Sequence, residues 1–116
     1  MTSKLAFKAQ EGSTYVIQAD FVEKTSDGVV GPIIPNTGLT WSLRDAQGNF
    51  INGREAVSLI PAESVNIVLS GNDLLLGGNY PGRRYLTIDG TYDSLLGEDL
   101  PIKIETSFQI ENLVGV

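Results

Sequence analysis

Ile102-Lys103-Ile104-Glu105-Thr106-Ser107-Phe108-Gln109-Ile110-Glu111 alternates in side-chain character along its whole length: Ile102, Ile104, Thr106, Phe108 and Ile110 fall on one side, and Lys103, Glu105, Ser107, Gln109 and Glu111 on the other. A period of two is that of an extended strand with one face in a core and one in water. The same period recurs outward from this stretch. Arg83–Tyr92 places Leu86 and Ile88 on one face and Tyr85 and Thr87 on the other, and Ser94–Pro101 reads as the loop between the two strands. Leu39, Trp41 and Leu43 alternate with Thr40, Ser42 and Arg44, and Tyr15, Ile17, Ala19 and Phe21 alternate with Thr14, Gln18 and Asp20. Ser3–Ala9 repeats the pattern with Leu5, Phe7 and Ala9. Glu55–Ile60, stopped by Pro61, and Val65–Ser70, stopped by Gly71-Asn72-Asp73, complete the set.

The breaks carry turn chemistry. Asp45-Ala46-Gln47-Gly48 has Asp first and Gly fourth, as a type I turn prefers, and Asn52-Gly53 is a type I′ signal. Ser26, Asp27, Gly28, Gly31, Pro32, Pro35, Asn36 and Gly38 concentrate in Glu23–Gly38, which reads as a long connection with a short edge segment at Val29-Val30 or Ile33-Ile34. Leu74-Leu75-Leu76, between Gly71 and Gly77-Gly78, is too short for a stable helix and reads as a helical turn or bulged edge plugging the core. No window holds a helical stripe longer than about two turns. Seven or eight short strands with turns between them predict an all-β fold, an antiparallel β-sandwich, with the lone Trp41 filling the space between its sheets.

At 116 residues the chain is a single β-sandwich domain over 1–116, since domains run to roughly 100–200 residues. It has no Cys and no His, which removes disulfides, thiolate metal sites, thiol nucleophiles and the commonest general base. None of the four lysines stands in a Ser-x-x-Lys arrangement, so the expectation is a protein that is not an enzyme and holds no cofactor. The carboxylates Asp89, Asp93, Glu98 and Asp99 are the one feature suited to an oxygen-loving cation such as calcium, but their spacing is not that of an EF-hand, and solvated turn acids are the simpler reading. Gly77–Gly82 is glycine-rich but lacks the lysine of a phosphate loop.

The net charge is −6, from 8 Lys+Arg and 14 Asp+Glu, and nearly all of it belongs to the second half of the chain. An acidic chain with scattered bases, Arg83–Arg84 being the sole cluster and reading as a solvated strand start, is unsuited to nucleic acid. There is no run approaching the ~20 apolar residues of a membrane span and no signal-peptide pattern near Met1, which points to a chain that stays in the cytoplasm of the producing cell.

Leu39-Thr40-Trp41-Ser42-Leu43-Arg44-Asp45-Ala46-Gln47-Gly48-Asn49, followed by Gly78-Asn79-Tyr80, Arg84-Tyr85-Leu86-Thr87-Ile88 and Ser107-Phe108-Gln109-Ile110, resembles the immunoglobulin-like β-sandwich of phage virion proteins and bacterial surface modules. The likeness spans about Thr14 to Leu113 and lacks the Cys…Trp…Cys spacing of antibody domains, so it implies the sandwich and not antigen-type recognition. It implies a structural or assembly protein, such as a phage virion or tail component, acting through a protein partner or as a homo-oligomer. Val29, Val30, Ile33 and Ile34 are the candidate contact, because apolar residues between Gly and Pro breaks are costly to leave in water. The alternative is a carbohydrate-binding or adhesin module using the aromatic residues Tyr80, Tyr85 and Tyr92.

Overall fold

The computed structural model describes residues 2–4, 9–10, 12–74 and 82–111, with side chains over 12–74 and 82–110. The Leu5–Phe7 alternation, Leu75-Leu76 and the Gly77–Pro81 loop with Tyr80 lie outside the described residues. Within them the protein is all-β: β1 (Thr2–Lys4), β2 (Ala9–Gln10), β3 (Thr14–Asp20), β4 (Val22–Thr25), β5 (Gly28–Pro32), β6 (Thr40–Asp45), β7 (Val57–Ser58), β8 (Ser64–Ser70), β9 (Gly82–Ser94) and β10 (Gly97–Glu111), with a short 3₁₀ helix at Gly71–Leu74 and no α-helix.

The decisive stretch is the second half of β10. It pairs antiparallel with β9 over almost its full length, from Leu100↔Tyr92 to Ile110↔Gly82. β9 in turn pairs antiparallel with β6, and β6 with β7, to give a sheet in the order β1-β10-β9-β6-β7 with β2 also on β10. β1 and β2 join β10 in parallel, Thr2 opposite Glu105 and Ala9 opposite Ile110, so the antiparallel rule holds for every described pairing except at the chain start. β3 and β8 form a two-stranded antiparallel ribbon in which Tyr15 opposes Leu69 and Asp20 opposes Ser64.

The alternation places the core. Tyr15, Ile17 and Phe21 from β3 and its exit, Val65, Ile67 and Leu69 from β8, and Leu39, Trp41, Leu43, Leu86, Ile88, Ile102, Phe108 and Ile110 from the sheet are buried together. The ribbon therefore packs face to face on the sheet. At about 1.5–3 kcal/mol for each large apolar side chain removed from water, this contact is the main stabilising term. The layers part along one side, between β3 and β10, around a hollow of about 350 Å³ lined by Ala19, Phe21, Ile33, Ile102 and Ile104 among others. Gly90 lets β9 pass close to Leu39, where a Cβ would meet Leu39 Cδ1 at 2.8 Å and push that buried side chain aside.

The turns follow their chemistry. Gly48 N donates to Asp45 O at 3.1 Å, while Asp45 Oδ1 accepts from Gln47 N and Asn49 N at 2.9 and 3.0 Å. Those donors, Asn49 first, hold the carboxyl of half-buried Asp45 below its ordinary range. Asn52 and Gly53 both have positive φ, 52° and 67°, as the type I′ signal requires.

Four expectations are corrected. Glu23–Gly38 holds more than one short edge segment: Val22–Thr25 and Gly28–Pro32 make a hairpin whose turn is Ser26-Asp27, so Val29-Val30 lies in a strand and Ile33-Ile34 does not. Ser94–Pro101 is not a loop either, because β9 and β10 run on to a two-residue tip at Leu95-Leu96, and a bulge between Gly97 and Leu100 absorbs the mismatch. Glu55–Ile60 shrinks to Val57-Ser58, since the chain leaves the Asn52-Gly53 turn through a further left-handed residue, Ala56 at φ 50°. Arg84, read as half of a solvated pair, is buried in phase with Leu86 and Ile88. Desolvation lowers its guanidinium from the ordinary value, with the charge of Asp45 opposing.

Candidate functional site

Two polar clusters are built into this core, and they lie toward opposite ends of a molecule measuring 53 × 26 × 23 Å. Phe108 pairs with Arg84 near one end of β9, and its ring meets Tyr15 at 5.3 Å, beside the Thr14↔Ser70 terminus of the ribbon. Ser94 lies ten residues further along β9, about 33 Å at ~3.3 Å per residue.

At the first end, Asp73 of the 3₁₀ helix is fully buried. It accepts from Arg54 Nε at 2.8 Å and Arg54 Nη2 at 3.1 Å, from Asn52 Nδ2 at 2.9 Å and from Ser70 N at 3.1 Å. Burial alone would raise the carboxyl, but the bonds from Arg54, Asn52 and Ser70 outweigh it and hold Asp73 below its ordinary range. Arg54 also lies 5.6 Å over the Trp41 ring. Every lone-pair direction is satisfied by a donor from the chain itself, so this cluster is a closure of the core with no vacant position for a ligand.

At the other end, Glu23 is buried although it sits on a hairpin strand. Its Oε2 accepts from Ser94 Oγ at 2.7 Å and from Tyr92 Oη at 3.0 Å, tying the β4–β5 hairpin to the β9–β10 hairpin. The Tyr92 hydroxyl is raised, first by burial and then by this carboxylate. A second bracket fixes the chain after β5: Asn36 N donates to Thr91 O at 2.8 Å and Asn36 Nδ2 to Asp93 Oδ1 at 3.1 Å. Asp93 Oδ1 also accepts from Asp99 N at 2.8 Å, which pins the left-handed residue of the bulge, Asp99 at φ 50°. These donors, Asp99 N foremost, lower the Asp93 carboxyl from its ordinary value.

The brackets hold the two hairpin tips side by side around an open depression of about 710 Å³. Its lining combines Val30, Ile33 and Ile34 from the first hairpin with Leu95 and Leu96 from the second. Leu95 is fully exposed, and Val29, Val30, Ile34 and Leu96 each keep more than 60% of their surface in water. Val30, Ile34, Leu95 and Leu96 line that one depression together, and a contiguous apolar patch of this kind is unusual on a soluble surface, whereas Val29 lies outside the lining.

The structure thus leaves three of the four candidate contact residues, Val29, Val30 and Ile34, exposed, while Ile33 turns inward against the core and donates its N to Phe21 O at 3.0 Å. Leu95 and Leu96 join them although no sequence feature sets them apart from an ordinary loop. Tyr85 and Tyr92 are seven residues apart on β9 and point to opposite faces: Tyr92 packs against the core side, and Tyr85 lines an outer surface with Arg44 and Thr87. They cannot share one stacking platform, and Tyr80 lies outside the described residues. Phe50 carries the Arg44 guanidinium at 4.5 Å over its ring.

The acidic run is spread along two strands. Asp89 pairs with Lys103 at 2.7 Å, Asp93 is held by backbone and amide donors, and among the described residues no three carboxylates converge as a metal-binding group. No described helix is long and apolar enough to cross a membrane. No family model, curated protein or solved structure matches the chain.

Proposed function

We propose that this is a non-enzymatic structural or assembly protein that works by docking the twin-hairpin tip onto another macromolecule. The observation that carries the reading is the convergence of exposed Val30, Ile34, Leu95 and Leu96 around one depression, over a frame fixed by buried Glu23 and by Asn36. A tip held this firmly while presenting apolar side chains to water has already met the ordering cost of binding, which favours recognition. An immunoglobulin-like β-sandwich, and with it a phage virion or tail role, is the finer form of this reading. The ribbon-on-sheet packing, the buried Trp41 and the polar Asp45–Asn49 hairpin support it. The carbohydrate alternative finds less support, because Tyr85 and Tyr92 lie on opposite faces of β9.

Site-specific photo-cross-linking in the producing cell tests the docking reading. A cross-linker at Leu95 is expected to yield a discrete protein adduct, and one at Val68, exposed on β8, is expected to yield none. No adduct at Leu95, or equal adducts at both positions, would overturn it.

A further inference from the structure

Charge is sorted along the long axis. Around the apolar tip stand Glu23, Asp27, Glu63, Asp93, Glu98 and Asp99, and the only base among them in sequence is Lys24. Glu23, Glu63 and Asp93 line the depression itself, and no Lys or Arg does. The arginines Arg44, Arg54, Arg83 and Arg84 all belong to the opposite end, grouped about the Asp45↔Arg84 pairing and Asp73. Among the described residues Glu23 and Asp93 meet only neutral donors: two hydroxyls for the first, an amide and a backbone N–H for the second. Their negative charge is therefore not cancelled within the bracket, unlike that of Asp73, which Arg54 neutralises.

Resting on the docking reading, we infer that the tip takes a cationic partner: a segment of a different protein that seats apolar side chains between Val30, Ile34, Leu95 and Leu96 and sets Lys or Arg against the acidic rim. A second copy meeting tip to tip would bring two like-charged rims together, which charge complementarity disfavours. An anionic lipid surface is disfavoured for the same reason. The apolar floor supplies contact area, and the rim selects the partner and speeds the encounter, so binding weakens with salt.

The test uses two synthetic peptides of equal leucine content, one with lysines and one with glutamates at the remaining charged positions, titrated against the full chain by fluorescence anisotropy. The lysine peptide is expected to bind at least tenfold tighter than its glutamate twin and to weaken at least tenfold at high salt. Removing rim charge with Asp27→Asn, Glu63→Gln and Glu98→Gln is expected to erase most of that preference. Removing as many charges away from the tip, with Glu55→Gln, Asp89→Asn and Glu105→Gln, is expected to leave it. Equal binding of the two peptides, or equal loss from both triple variants, would overturn the inference. So would tip-dependent self-association in sedimentation, or tip-dependent binding to anionic vesicles in place of the peptide. A protein adduct at Leu95 together with indifference to rim charge would retain docking and reject the cationic partner. Absence of the adduct would reject the docking reading itself.

Discussion

Asp73 and Glu23 are both carboxylates buried in a small β-protein, and the chain treats them in opposite ways. Asp73 receives a guanidinium, an amide and a backbone N–H, so its charge is neutralised and its geometry closed. Glu23 receives two neutral hydroxyls, which orient it and leave its charge in place. The first cluster fastens the loop after β6 to the end of β8, where a chain without cysteine has no covalent staple. The second fastens one hairpin to another and keeps that end of the molecule both apolar and negative. Polar groups in the core thus do two jobs here: one cluster consolidates the fold, and the other shapes a surface.

The largest expected effect breaks the first cluster. Arg54→Ala leaves a fully buried carboxylate without its cation and should cost about 3 kcal/mol in chemical denaturation, toward the low end for a buried pair because Arg54 keeps part of its surface in water. Glu23→Gln keeps an acceptor for the Tyr92 and Ser94 hydroxyls and should cost only about 1 kcal/mol. Equal losses in the two variants would remove the distinction between closure and frame.

Acid sharpens the same contrast. Asp73 is held below its ordinary value of 3.8 in the folded chain, so between the two pKa values the unfolded chain binds more protons. The stability it contributes is present above the unfolded value and is lost as pH falls through the folded one. Asp73→Asn should therefore flatten the stability–pH curve below about pH 4, by urea unfolding at a series of pH values. An unchanged acid limb would show that Asp73 is not the group responsible. At the alkaline side, Tyr92 is raised by burial and by the Glu23 charge, so Glu23→Gln should move its phenol absorbance titration to lower pH.

Neither cluster was plain in the sequence, for different reasons. Glu23 continues the two-residue phase of Tyr15, Ile17, Ala19 and Phe21, and Arg84 that of Leu86 and Ile88, so a strict reading of phase would have buried both. A charge in such a phase is easily mistaken for the end of a strand. Asp73 had no phase to follow, because a 3₁₀ turn after Gly71 aims its side chain by local geometry and not by alternation. The long strands and the core were legible because burial of one face imposes period two over many residues. The two hairpin tips were not: Asp27-Gly28 is a turn signal but stands among so many Gly and Pro breaks that it reads as part of one long connection, Leu95-Leu96 lacks any Asn-Gly or Asp-Gly signature, and residues on a tip owe nothing to a core.

That freedom from the core gives the smallest expected effect on stability and the most informative one on function. Leu95→Ser with Leu96→Ser removes two side chains that are exposed in the folded chain, so folding gains almost nothing from them, and the melting temperature should stay within about 2 °C of the parent. The adduct formed from a cross-linker at Val30 should nevertheless disappear, because the leucines and Val30 line one depression. A marked fall in melting temperature would mean that the leucines fold back onto the body of the molecule. The patch would then be a buried seam, and the contrast between a closed end and an open end would fail at its open end.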